Sequence, residues 1–402
     1  MSIDVTQAWN PQRPPPLWRR IASQWAKNLQ HGRVDITFPG GTTVRFDSGA
    51  QGPAAAITIH RRRFMRRLAL GGELGLAASY IDGDWSSPDI AALVAFGLVN
   101  HSALTTLRPS WPTRAAASVF HWLNANTRKG SRRNIAFHYD LGNAFYALWL
   151  DETMSYSSAL FTTPGLSLAE AQKAKYERIL NELGIAAGDR VLEIGCGWGG
   201  FAECAARRGA HVTALTLSRE QAQFSQARMA AAGLSDLVDI RIEDYRDVQG
   251  SFDHIVSIEM LEAVGEKNWP TYFNTLNERL RSGGKAMIQV ITVDDDVFDS
   301  YRRRVDFIQR YIFPGGMLLS PAALKRSAEQ AGLSLDASEF FGADYSETLR
   351  QWAERFEAVW PQVEALGFDE RFRRMWRYYL RYCQATFRTG ATDVGQFVLS
   401  KP

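Results

Sequence analysis

Apolar and polar positions change rhythm along the chain, and the change divides it. In "RVDITFPGGTTVRF" apolar residues alternate with polar ones on both sides of Pro39-Gly40-Gly41, the period of two that predicts a β-hairpin. "AAITIHRRRFMRRLAL" continues as a strand followed by a basic helix. Further on, apolar runs end in glycine or polar residues at 190–195, 211–216, 237–241, 253–258 and 284–292, with helical periodicity between them. Strands buried on both faces read as such runs, so the alternation predicts an α/β fold with a doubly wound, mostly parallel sheet. The stretch "NANTRKGSRRNIAFHYDLGN" crowds Lys and Arg where core residues are sparse, and the domain junction falls there. A smaller N-terminal α+β module is expected over 1–125 and the α/β domain over 126–402.

Composition narrows the class. With 402 residues, 46% hydrophobic and 22% charged, the chain is globular and long enough for two domains. A net charge of only +3 argues against a nucleic-acid partner. Cys196, Cys204 and Cys383 show no CxxC or Cys/His spacing, which disfavours a disulfide framework and a zinc site. The N-terminus lacks a basic region followed by an apolar core, and no run reaches the roughly 18 apolar residues of a membrane span. A cytoplasmic protein is the expectation.

The candidate chemistry begins at "DRVLEIGCGWGG", 189–200. Val191, Leu192 and Ile194 read as a buried parallel strand, and Gly195, Gly197, Gly199 and Gly200 let a ligand approach bare backbone. The run lacks the G-x-G-x-x-G phosphate cradle and carries Glu193 near the strand end, which disfavours a dinucleotide. The E-x-G-x-G pattern resembles the first motif of Rossmann-like methyltransferases, whose donor is S-adenosylmethionine. Taken alone, Cys196 is a packing residue.

The stretches "FHYDLGNAFYALWLDETMSYSSALF", "TLSREQ", "DYRDV", "IVSIEMLEAVG", "YIFPGGMLLS" and "FGADY" together resemble the cyclopropane-fatty-acyl-phospholipid and mycolic acid cyclopropane synthases. "GELGLAASYIDGDW" is similar to the N-terminal module of the longer members. The resemblance implies a Rossmann-like methyltransferase domain that transfers the donor's methyl carbon to the cis double bond of an unsaturated phospholipid chain. It places Gly195, Gly197 and Gly199 against the donor, Tyr156 and Ser157 over it, and Glu193 behind the glycine loop. Leu217 and Gln221 would flank ribose and adenine, and Glu243 and Asp244 the adenine edge. Capping or solvated charge is the plainer account of each polar residue among these, and Ser218 with Glu220 and Gln221 does read as a helix start.

An alkene is a feeble nucleophile, so the reaction needs orientation in a dry pocket, and the carbocation it leaves calls for aromatic faces. Tyr156 and Tyr345 are favoured for that role by motif position, while most other aromatics, such as Tyr272 and Phe273, read as core. In the family a bound bicarbonate then takes a proton from the added methyl and closes a ring. Its cage maps onto Glu262, Tyr345, the Ile291 N–H, Ser158 in place of cysteine and Gln289 in place of histidine. Glutamine cannot titrate as imidazole does. A cyclopropane and a methyl-branched alkene therefore both remain open as products.

Two basic clusters, 61–67 and 128–133, suit weak docking on anionic lipid at the inner face of the membrane. The N-terminal module is assigned such docking or homodimerisation, and a solvated helix face explains the first cluster equally well. Asp294 to Asp296 read as a loop rather than a metal site, and His138 as a scaffold element. A small-molecule methyltransferase and a non-catalytic cofactor- or lipid-binding protein are the competing classes. The former calls for an Asn-Pro-Pro-Tyr-like motif, which this chain lacks.

Overall fold

The computed structural model describes residues 29–101 and 141–402. They form two compact units, 29–101 with Gly367–Ala391, and 141–366 with Thr392–Pro402. The basic cluster at 128–133 and His138 lie outside the described residues.

In the first unit, β1 (Arg33–Thr37) and β2 (Thr43–Asp47) pair antiparallel about the predicted Pro-Gly-Gly turn, and β3 (Ala54–Ile59) runs parallel to β1. α1 (Arg63–Ile81) follows, then the short β4 (Trp85–Ser86) and α2 (Ile90–Val99), which Asp89 caps through the Ala92 N–H. The predicted basic cluster starts α1, and part of it is tied to acidic partners: Arg63 and Arg67 pair with Asp84, whose side chain is fully buried, and Arg67 also with Asp82.

The second unit opens with α3 (Asn143–Trp149) and α4 (Leu168–Leu183), the latter started by a Ser167–Glu170 capping box and ended by Gly184 in the left-handed conformation. The expected alternation follows: β5 (Arg190–Ile194), α5 (Gly200–Arg207), β6 (His211–Thr216), α6 (Arg219–Ala231), β7 (Val238–Ile242) and β8 (Phe252–Ile258). After a short 3-10 turn, Leu261–Ala263, come α7 (Trp269–Arg279) and β9 (Leu280–Thr292). Sheet order is β10-β11-β9-β8-β5-β6-β7, with β5 to β9 parallel as expected. The chain starts in the middle at β5, builds one side through β7, then crosses to β8, so the switch point lies between β5 and β8.

Helices α8 (Asp295–Tyr301), α9 (Phe307–Tyr311) and α10 (Pro321–Gln330) lead to β10 (Ser334–Phe340), α11 (Gly342–Ala358) and α12 (Trp360–Ala365). The three aspartates behave as a helix start: Asp294 accepts from the Asp296 N–H and Asp295 from that of Ala322. α13 (Glu370–Arg388) belongs to the first unit, where Arg374 lies 4.2 Å from the Tyr80 ring centroid and donates to the carbonyls of Tyr80 and Trp85. β11 (Asp393–Ser400) then returns to the large sheet, antiparallel to β9 and β10. Apolar residues on the two sheet faces form separate clusters, one around Leu276 and Ile288, the other around Ile179 and Val191.

Candidate active site

The carboxyl ends of the parallel strands meet at the switch point, and the singled-out residues lie on the loops there or on the strands and helices that flank them, such as Glu193 on β5, Gln289 and Ile291 on β9, Gln221 on α6 and Tyr345 on α11. At the end of β5, the N–H groups of Gly195 and Cys196 both donate to the Leu215 carbonyl, pinning the glycine turn to β6. Gly195, Gly197 and Gly199 have φ of 86°, 53° and 81°, which side chains rarely adopt. A Cβ at Gly195 would come within 2.9 Å of Met260, whereas one at Gly197 would point into open space. The turn is thus backed by protein at its first glycine and open at its second.

Polar groups around that opening suit a cationic donor carrying an amino acid and an adenosine. Burial pushes the Glu193 carboxyl up to about 8, against the pull of the Ala202 N–H and the charges of Lys175 and Arg228, and its Oε2 has no partner. A nearby cation would restore its ionised form. Gln221 accepts from the Thr216 hydroxyl through Oε1, and half-buried Leu217 follows β6. Half-buried Glu243 follows β7. The Asp244 carboxylate is held by both arms of Arg246, at 2.8 and 2.6 Å, and its local ion pair is the dominant role visible.

Tyr156 joins a continuous aromatic wall that sequence reasoning largely missed. Its ring lies 5.3 Å from Tyr146, 5.6 Å from Trp149 and 5.3 Å from Trp352, and Trp352 lies 6.2 Å from Tyr345. Trp198, from the glycine turn, adds its ring 5.0 Å from Tyr146 and is fixed by its N–H to Asn143. Tyr146, Trp149 and Trp352 are themselves fully buried, and Tyr272 and Phe273 belong to a separate core cluster.

Across from the glycine turn, the residues named as an anion cage do converge, but a residue not singled out sits among them. Glu259 directly follows β8 with φ of 49°, a left-handed conformation costly for glutamate. Its N–H donates to the Gln289 carbonyl, and its carboxyl is enclosed although the residue as a whole is only half-buried. Glu259 Oε1 accepts from the Ser158 N–H and the Gln289 amide, both at 2.8 Å, and Oε2 from the Tyr345 hydroxyl at 2.6 Å. Three donors describe an ionised carboxylate. Burial still raises its pKa above the ordinary value, with Tyr345, the Lys175 charge, Ser158 and Gln289 pulling it back.

Gln289 is aimed by a second residue outside the prediction. β9 and β11 set Gln289 opposite Gln396, whose amide donates to Gln289 Oε1 at 3.0 Å, so the Gln289 N–H groups face Glu259. Glu262, in the turn after Glu259, accepts from the Ile291 N–H at 2.7 Å through Oε1, and its Oε2 is buried without a partner. Burial, then the charge of Glu259, pushes Glu262 up to about 8, so it is neutral at pH 7. The site therefore pairs one ionised with one protonated carboxyl.

The loop before α4 is laced into this arrangement. Ser157 receives hydrogen bonds from Gln172 on its carbonyl and from Lys175 on its hydroxyl. The N–H groups of Ala159, Leu160 and Phe161 go to Thr348, the Ala171 carbonyl and Asp344.

Residues 126–397 match the protein family described as mycolic acid cyclopropane synthetase. The chain is 41% identical over 388 residues to the tuberculostearic acid methyltransferase UfaA1 of Mycobacterium tuberculosis, covering 93% of this chain and 89% of that one. It is 37% identical over 356 residues to the cyclopropane-fatty-acyl-phospholipid synthase of Escherichia coli, covering 86% and 88%. Among solved structures, a mycolic acid cyclopropane synthase complexed with SAH and CTAB is similar at 30% identity and a TM-score of 0.63, over 67% of this chain and 98% of that one. A glycine turn at the switch point, its second glycine open, agrees with these likenesses: the chain belongs to the mycolic acid cyclopropane synthetase family of S-adenosylmethionine-dependent methyltransferases.

Proposed function

We propose that this enzyme methylates the cis double bond of unsaturated acyl chains in membrane phospholipids and releases a methyl-branched, still unsaturated chain. S-adenosylmethionine supplies an electrophilic methyl. The alkene π pair forms the new carbon–carbon bond as the sulfur–carbon bond breaks, and the positive charge falls on the other alkene carbon. Tyr156 and Tyr345 would offer aromatic faces that stabilise such a charge without being alkylated, with the buried Trp352 ring packed behind both.

One observation carries the choice of product: the Glu259 carboxylate already holds the Ser158, Gln289 and Tyr345 donors that a bicarbonate would need. A free anion can settle against the new methyl and remove its proton, which closes a ring. A carboxylate tethered by its own backbone and three hydrogen bonds takes a proton only where it is aimed. On this reading Glu259 receives a proton from a chain carbon next to the cation, and the electron pair of that C–H bond forms the new double bond. The likeness to a relative named for a methyl-branched acid supports the same outcome.

The test uses donor labelled with three deuteriums in its methyl. Branching retains all three in a product that ozone still cleaves, and ring closure retains two in a product that resists ozone. In the Glu259→Gly variant, the emptied cage should make turnover depend on added bicarbonate and shift product toward the ring. A ring from the wild-type enzyme would refute the proposal.

A further inference from the structure

Lys175 lies on α4, is fully buried, and is given no step in the mechanism above. Its ammonium donates at 2.6 Å to the Ser157 hydroxyl and at 2.6 Å to Gln172 Oε1, and sits 4.6 Å from the Tyr176 ring centroid. No carboxylate is in ion-pair contact with it among the described residues. Burying a charge this way is expensive, and a methionine would fill the same volume at far lower cost. A position that keeps the charge has a use for it.

We propose that Lys175 is a positioning residue for the proton-removal step: it fixes Ser157 and so the Ser158 N–H against Glu259, and its charge favours the Glu259 carboxylate. The inference rests on the reading of Glu259 as the base. Gln172 holds the Ser157 carbonyl at 2.9 Å while Lys175 holds its hydroxyl, so both sides of Ser157 are gripped by one turn of α4. The next residue gives its N–H to Glu259. The charged and titratable groups acting on Lys175 come from every side: Glu259 after β8, Asp151 after α3, Cys204 on α5 and Glu193 on β5. Among these Glu259 exerts the largest effect, and Lys175 in turn lowers the pKa of Glu259. Burial brings the ammonium down to about 8, so it is charged across the range in which the base must be ionised.

The experiment measures kcat against pH for wild type, Lys175→Met and Ser157→Ala, with folding checked by circular dichroism and Tm. In Lys175→Met, kcat should fall about tenfold, and the acidic limb, where Glu259 becomes protonated, should move up by about one pH unit. Ser157→Ala keeps the charge but loses the grip, so its kcat should fall while its acidic limb stays in place. An unmoved limb in folded Lys175→Met overturns the assignment, as does an unaltered kcat in Ser157→Ala if Lys175→Met fails to fold. Absence of any acidic limb in the wild type would instead remove Glu259 as the base, which separates the two failures.

Discussion

Two carboxyls three positions apart divide the work by environment. Three donors hold the Glu259 carboxyl down against its burial, whereas burial and then the charge of Glu259 push Glu262 up to about 8 against the pull of the Ile291 N–H. The raised pKa of Glu262 has a consequence for stability. Its carboxyl titrates near 4.5 when unfolded and near 8 when folded, so its contribution is complete below pH 4.5 and lost as pH rises through 8. Glu262→Gln keeps the acceptor for Ile291 and never ionises. The variant should match the wild type in Tm at pH 5 and exceed it by about 3 °C at pH 8.5. A difference that stays constant across that range would contradict the buried, protonated state. Glu262, Ser158, Gln289 and Tyr345 were legible because each sits in a recognisable local motif. Glu259 was overlooked within the same "IVSIEMLEAVG", although a non-titrating Gln289 in the cage was a hint that some fixed acceptor must face it.

At the level of elements, the five parallel strands were legible since strands buried on both faces become uninterrupted apolar runs. β10 left no such trace, being exposed at nearly every position. β11 matters more, because its antiparallel register sets Gln396 opposite Gln289 across 107 residues of sequence, a pairing no local pattern encodes. Replacing Gln396 by leucine would free the Gln289 amide to turn its oxygen toward Glu259, where two acceptors repel. We expect kcat to fall about tenfold at an unchanged KM for the donor, the mark of an interaction made at the reacting centre. The lost hydrogen bond on one side is balanced by removing the unpartnered Gln396 Oε1 on the other, so Tm should move by less than about 4 °C. Steady-state kinetics with full activity in Gln396→Leu would show that the cross-strand pair has no bearing on the site.

On the scale of the whole molecule, the chain leaves the first unit, builds the second, and returns to the first at Gly367–Ala391 before closing the large sheet with β11. Neither periodicity nor composition marks that return, which depends on aromatic packing between residues distant in sequence, such as Tyr80 with Tyr378 at 5.5 Å. Charge on the first unit bears on how an enzyme with no helix long and apolar enough to cross a membrane, among its described residues, would reach an acyl chain. The cluster 61–67 read as a uniform basic patch, yet its arginines divide. Arg63 and Arg67 neutralise buried Asp84, with Arg61 3.7 Å away, whereas Arg62 and Arg66 are exposed and enter none of these pairs. Docking on anionic lipid should therefore rest on the second set and folding on the first. The double variant Arg62→Ser/Arg66→Ser should bind anionic vesicles about 30-fold more weakly at low salt, from about 1 kcal/mol per residue, with Tm unchanged. Arg63→Met should lower Tm by several degrees, because a buried carboxylate loses its closest partner. Co-sedimentation across a salt series separates the roles, and vesicle binding indifferent to Arg62 and Arg66 would remove this face from the membrane.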